Sequence, residues 1–326
     1  MTLVEDKPML ILDAPTIRER LTPSAAMDAL REAMIALSSD QVRQLLRSFI
    51  GLGEGRTFAI MPAALMDAQV FGAKLVSVFA DGQGRKAHEG VVVLFDGRDG
   101  APVCIADAGE ITAIRTAAAS AVATQALARP DADRLAILGL GRQAADHIRA
   151  IARSRALSRV MVWGRDPGRA EAFAQAMADE TGLRIEAASS VRAAVADAQI
   201  ICTVSAAVDP ILQGGWVAPG AHINVVGSSG PGAAEIDGPL VRDSRFIVDH
   251  REHVLVHGGE FLRAKAQGLI GDDHIAAEIG EVLGGATPGR TAPDQVTIYK
   301  SLGHAAQDLA VTAWLYRQAS ANTGAA

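Results

Sequence analysis

The sequence predicts an α/β protein: a doubly wound parallel-sheet domain of the Rossmann kind, preceded by an α+β domain. Three observations predict it. From residue 134 onward, short runs of Val, Ile and Leu alternate with helical stretches, as parallel strands covered on both faces require. A G-x-G-x-x-A turn follows the first of these strands. Before residue 110, β-like runs are joined by Gly-rich turns without that alternation. At roughly 100 to 200 residues per domain, 326 residues accommodate two domains. With 49% hydrophobic and 21% charged residues, fibrous and disordered classes are excluded.

In order along the first half, the spacing predicts a helix over Pro23 to Leu37, then strands over Arg43 to Ile50, Gly72 to Phe79, Gly90 to Phe95 and Ala101 to Ala106. The joints G-L-G-E-G (Gly51 to Gly55), D-G-Q-G (Asp81 to Gly84) and D-G-R-D-G (Asp96 to Gly100) separate them. An Ala-rich helix runs from Ile111 to Pro130. The second half reads as strand Arg134 to Leu138, helix Gln143 to Ser154, strand Arg159 to Trp163 and helix Arg169 to Glu180. Strand Arg184 to Ala187, helix Val191 to Ala196 and strands Gln199 to Val204, His222 to Val226 and Arg245 to Val248 follow. A strand at Gln295 to Tyr299 and a helix from about His304 close the chain. The expected division is residues 1–125, completed by 305–326, and 126–304, with a loose tail from Ser320.

A net charge of -6 without a basic run gives no attraction to nucleic acid or anionic lipid. Cys104 and Cys202 lack CxxC spacing, which points to a reducing compartment. Glu5 and Asp6 stand where a secretory signal would be basic and then apolar, so a cytoplasmic protein is expected. The uncharged stretch Thr116 to Ala128 is too short to span a bilayer.

The turn Leu138-Gly139-Leu140-Gly141-Arg142-Gln143-Ala144 lies between a strand and a helix, the context a dinucleotide site needs. Gly139 permits the tight turn, Gly141 lets backbone approach a pyrophosphate, and Ala144 allows close helix packing. The diphosphate would rest on the helix N-terminus. After the next strand comes Gly164-Arg165-Asp166. Arg165, with Arg142 as a second contact, suits a ribose 2′-phosphate, which favours NADP(H), with NAD(H) the alternative. Asp166 is the competing residue, a ribose ligand for NAD. Thr116, Gln143, Val226 and Gly227 complete the candidate cofactor contacts.

Arg47, Lys74 and Arg115 are lone charges in otherwise apolar segments, which are costly unless paired or used to hold an anion. A hydride-transfer enzyme acting on a carboxylate substrate calls for such cations.

At these residues the chain resembles the ornithine cyclodeaminase and mu-crystallin family. The likeness runs through M-P-A, G-A-K, T-A-I-R-T-A-A-A-S-A, L-A-R-P-D-A and G-L-G-R-Q-A, then P-G-A-H-I-N-V-V-G-S, A-E-I-D, H-G-G-E and K-S-L-G-H-A-A-Q-D-L-A. The resemblance implies a homodimer whose first domain, completed by the last helix, forms the dimer interface and the pocket for a small amino or imino acid. It implies that Arg47, Lys74 and Arg115 grip the substrate carboxylate, and that Asp308 is an acid near the nicotinamide. The bare reading of Asp308 is a helix-start charge.

The family includes cyclodeaminases, alanine dehydrogenases, imine reductases and a hormone-binding member, so the name leaves the reaction open. Its cyclodeaminases and archaeal alanine dehydrogenases carry an Asp at the position of Ser229. A Ser hydroxyl is a poor base near neutrality. Ser229 therefore resembles the ketimine-reductase branch, which implies reduction of 1-pyrroline-2-carboxylate or 1-piperideine-2-carboxylate to proline or pipecolate. Lys74 can supply the proton, and His88, read in a loop before Val91, is a second candidate acid. A lyase using bound NAD, an amino-acid dehydrogenase and a low-turnover binding protein are the alternatives. No metal is expected, because His250, His253 and His257 lack the H-E-x-x-H pattern. Glu235 and Asp237 read as helix-start charges, and without G-x-S-x-G there is no hydrolase elbow at Ser229.

Overall fold

The computed structural model describes residues 9–80 and 86–323. Two compact units divide the chain: one holds the residues up to Arg115 together with those from His304, and the other is Thr116–Gly303. The break falls inside the Ala-rich helix, which is continuous across it.

The first unit begins with β1 (Leu10–Leu12), α1 (Ala14–Arg20) and α2 (Pro23–Ser38). Both helices start on a side-chain cap with Pro at the first turn: Asp13 accepts from Thr16 N and Thr22 from Ala25 N. There follow β2 (Val42–Gln44), β3 (Ser48–Gly53), β4 (Arg56–Leu65), β5 (Val70–Ala80), β6 (Lys86–Asp96), β7 (Pro102–Asp107) and α3 (Ala108–Leu127). The seven strands form one sheet in the order β1-β7-β6-β5-β4-β2, with β3 also on β4. All pairs are antiparallel except β1 with β7. The last helix of the chain, Ala305–Thr323, packs on β4, β5, β6 and α2. Its first turns are buried on every face, as a helix inside a core must be.

The single strand expected at Arg43 to Ile50 is two strands, and the long β4 was not expected at all. Pro62 argues against a strand, since it cannot donate to a ladder. The structure accommodates it through the break between β2 and β3. Gln44 pairs with Ala63 and Ser48 with Ile60, so Leu45 to Arg47 bulge away opposite Met61 and Pro62. A second correction concerns His88, which lies within β6 opposite Val78 rather than in a loop. Its side chain lies outside the described residues.

The second unit contains β8 (Arg134–Leu138), α4 (Arg142–Ser154), β9 (Arg159–Trp163), α5 (Pro167–Thr181), β10 (Ile185–Ala187), α6 (Val191–Val195), β11 (Ile200–Thr203) and β12 (His222–Val225). It continues with α7 (Gly238–Arg242), β13 (Arg245–Val248), α8 (Arg251–His257), α9 (Gly259–Ala266), β14 (Ile275–Glu278), α10 (Ile279–Leu283) and β15 (Thr297–Lys300). The sheet order is β10-β9-β8-β11-β12-β15-β13-β14, every pair parallel. The winding reverses between β8 and β11, the point where open α/β sheets bind ligands beyond their strand tips. The central strands β11, β12 and β15 are buried at every residue. The region between β13 and β15 holds α8, α9, α10 and β14, which the spacing did not reveal.

Among the described residues, no helix is long and apolar enough to cross a membrane.

Candidate active site: a cation cluster and a dinucleotide turn

In the first unit, three of the expected residues meet at one carboxylate. Lys74 sits mid-strand in β5, opposite Met61 on β4 and Val92 on β6. Arg115 lies on α3. Asp308 is in the first turn of the last helix, which we label α11. Arg115 Nε donates to Asp308 Oδ1 at 3.0 Å, and Lys74 Nζ donates to the same oxygen at 3.4 Å. The bonds are completed by Arg115 Nη1 to Gln307 Oε1 at 2.9 Å and Lys74 Nζ to Thr112 Oγ1 at 2.5 Å. Lys74 is 6%, Arg115 5% and Asp308 0% exposed. Asp308 is thus no solvated helix-start charge: it is the counter-ion of two buried cations, and its Oδ2 is buried without a hydrogen-bond partner.

Burial pushes the Lys74 ammonium down to about 8, with Arg115 and Arg47 adding to the effect and Asp308 opposing it. A lysine of ordinary value would hold its proton throughout the working range. This one can release it. Arg47 occupies the break between β2 and β3, half-buried and near enough to act electrostatically on Lys74. Arg47 thus adds to the positive surroundings of Lys74 and Arg115, which suit an anion.

The second unit carries the dinucleotide turn. Gly139 follows β8 with φ +139°, and a Cβ there would stand 2.7 Å from Val204 O. Gly141 is the N-cap of α4 and offers no side-chain cap, so the helix end presents backbone rather than a side chain to a ligand. Ala144 is fully buried. Leu138, Thr203 and Val225 are in register, which sets the loops after β8, β11 and β12 side by side at the strand tips. These features fit a dinucleotide diphosphate. Thr116 is buried on α3, while Gly227 and Ser229 are exposed in the turn after β12, next to Val226.

Arg165 is exposed just beyond β9. Asp166 is engaged as the N-cap of α5, accepting from Arg169 N at 3.1 Å. Arg142 is exposed on α4 with Asp146 at 3.6 Å.

Glu235 overturns its reading as a helix-start charge. It is fully buried and accepts four hydrogen bonds: Ser205 N, Ser205 Oγ and Thr203 Oγ1 at 2.7 Å each, and Gly227 N at 2.6 Å. Burial pushes its pKa up, against these bonds. Asp237 does cap α7, accepting from Leu240 N. Glu260 and Lys300, both buried, were also missed as site residues, although they lie in the motifs H-G-G-E and K-S-L-G that carried the resemblance. Among the described residues, no group of His, Cys, Asp and Glu could hold a metal ion.

The model of the ornithine cyclodeaminase/mu-crystallin family matches residues 7–323. The chain belongs to this family. Family membership agrees with the motifs above and brings the cation cluster and the turn into one enzyme type. Over 313 residues the chain is 37% identical to the ketimine reductase mu-crystallin of Mus musculus, covering 94% of this chain and 96% of that protein. It is 30% identical to a Delta(1)-pyrroline-2-carboxylate reductase of Bacillus cereus, covering 95% and 97%. Its fold matches the Delta(1)-pyrroline-2-carboxylate reductase of Thermococcus litoralis, solved in complex with NADH and L-proline, with a TM-score of 0.91, 31% identity and coverage of 97% and 98%.

Proposed function

We propose that this chain is an NAD(P)H-dependent reductase of cyclic imino acids, converting 1-pyrroline-2-carboxylate or 1-piperideine-2-carboxylate to proline or pipecolate. The observation that carries the reading is the buried Lys74–Arg115–Asp308 cluster, whose lysine is tuned to about 8. The relatives named as ketimine and pyrroline-2-carboxylate reductases support it.

When bound, a reduced nicotinamide supplies the hydride. In the first unit Arg47 and Arg115 hold the substrate carboxylate, Arg115 being held in turn by Asp308 and Gln307. Reduction moves the C=N electron pair onto nitrogen as hydride arrives at carbon, and the nitrogen then needs one proton. Lys74 provides it and returns to the ammonium form from solvent. Asp308 favours the charged lysine before transfer, and burial favours the neutral lysine after it. In the second unit Gly139, Gly141, Ala144 and Gln143 shape the diphosphate seat, with Thr116, Val226 and Gly227 as further cofactor contacts. Ser229, a hydroxyl where the cyclodeaminases carry an Asp, is a poor base near neutrality, which favours reduction over a lyase reaction. His88 stays in the reading as an alternative acid.

NADP(H) is the preferred cofactor in this reading. The carboxylate that would favour a ribose hydroxyl, Asp166, is occupied as a helix cap, leaving Arg165 exposed for a 2′-phosphate. The same reading includes a homodimer, supported by exposed Phe49, Ile50 and Leu52 on β3. It includes a cytoplasmic setting, supported by two free, buried cysteines.

The test is transfer of deuterium. With dinucleotide deuterated at C4 of the reduced ring, proline or pipecolate carrying deuterium at C2 supports the reading. Ammonia released from ornithine with no deuterated imino-acid product overturns it.

A further inference from the structure

The turn after β12 is held from beneath by charges that no step above uses. Ser228 is buried, whereas its neighbours Gly227 and Ser229 are exposed. Its Oγ donates to Glu260 Oε1 at 2.5 Å and accepts from Lys300 Nζ at 2.7 Å. Lys300 also donates to Ser228 O at 2.7 Å and stands 2.8 Å from Glu260 Oε2. Two N–H bonds of the ammonium thus go to Ser228, and its charge faces the Glu260 carboxylate. Exposure is 2% for Ser228, 1% for Glu260 and 0% for Lys300.

A second buried acid continues the network. Glu235 N donates to Glu260 Oε1 at 3.0 Å, and the Glu235 carboxylate takes the N–H of Gly227. Gly227 is required there, since a Cβ would lie 2.2 Å from Ser205 O and 2.5 Å from Glu235 Oε1. Residues 227 and 228 are therefore gripped through backbone and side chain by two glutamates and a lysine. They leave no slack ahead of Ser229.

Stability alone does not account for such a network. Buried ion pairs give little net stability compared with apolar residues of the same size, while fixing geometry strictly once formed. Groups that must be placed within a fraction of an ångström need such support from behind.

We propose that Lys300, Glu260 and Glu235 are positioning residues that fix the Gly227–Ser229 turn for imine reduction. The inference rests on the function proposed above. None of the three touches substrate in this account: each acts through the turn.

The experiment compares the full-length wild type with Ser228→Ala, Ser228→Thr and Glu260→Gln. It measures kcat and KM for the imine, NADPH affinity by fluorescence, the thermal midpoint, and hydrogen exchange in the peptide covering residues 226–230. Ser228→Ala removes one hydroxyl and leaves the Lys300–Glu260 pair, so it serves even if Glu260→Gln fails to fold.

The expected result for Ser228→Ala and Glu260→Gln is a kcat lower by about tenfold or more. Exchange at 226–230 becomes faster, and Ser228→Thr recovers most of the rate. Unchanged kcat in folded variants of an active wild type overturns the assignment alone. A kcat loss that only follows a fall in thermal midpoint, with exchange at 226–230 unaltered, makes the network purely structural and also overturns it. A wild type that reduces no imine overturns the functional reading, and this assignment with it.

Discussion

Lys74 and Asp308, 234 residues apart in sequence, form an ion pair of 3.4 Å with almost no solvent access to either side chain. The strand β5 and the terminal helix α11 are thereby joined at the one carboxylate that also holds Arg115. Removing that carboxylate leaves two buried cations without a counter-ion. Asp308→Asn is expected to cost about 3–5 kcal/mol, the usual penalty for breaking one side of a buried pair. Urea unfolding followed by circular dichroism measures it, and a loss below about 1 kcal/mol would show the cluster to be solvated.

The same pair sets a pH dependence of rate. Lys74 donates as the ammonium, so kcat/KM for imine reduction falls as pH rises through about 8. Lys74→Met is expected to lose about 10²–10⁴-fold in kcat and to lose that limb of the profile. A profile flat through this range in the wild type would assign the proton to another group.

Stability follows the opposite trend. The Lys74 pKa is lowered on folding, from 10.5 to about 8. Between these values the unfolded chain binds the proton more tightly, so this group makes the fold more stable as pH rises through that window. Below about 8 both states are protonated and its slope vanishes. Denaturation of wild type and Lys74→Met across the window isolates the contribution, because all other groups are shared.

Part of this was legible in the sequence. The doubly wound half could be read because its strands are short apolar runs, its helices are amphipathic, and Gly139, Gly141 and Ala144 mark the turn between them. Lys74 and Arg115 were found because a charge inside an apolar run needs a partner. Asp308 was named through the resemblance, as an acid near the nicotinamide; that it is their counter-ion was not legible, because it lies at the far end of the chain and only folding brings it to them. Glu235 was misread because A-E-I-D before a helix looks like capping, which Asp237 performs while Glu235 turns inward. β4 was hidden by Pro62, which is tolerated only because the neighbouring strand is interrupted there.

Gly139→Ala is expected to lose dinucleotide binding and to destabilise the protein, because φ +139° and the 2.7 Å approach of Val204 O both exclude a Cβ. A cost of about 1–3 kcal/mol is expected from the strain. Fluorescence titration with NADPH and a thermal melt check the two effects, and a variant that binds normally would displace the diphosphate seat from this turn.

Arg165→Ala tests the cofactor preference. Loss of a charge-assisted bond to the 2′-phosphate, about 1.5–3 kcal/mol, should raise the KM for NADPH by roughly 10–100-fold and leave that for NADH nearly unchanged. Equal effects on both cofactors would make Arg165 a general contact.

The most direct test of the central claim is steady-state oxidation of NADPH with 1-pyrroline-2-carboxylate, in wild type and Lys74→Ala side by side. Rapid imine-dependent oxidation in the wild type and its near-complete loss in a folded variant is the predicted result. Equal rates in both, or no imine-dependent oxidation with either nicotinamide cofactor, would contradict the account.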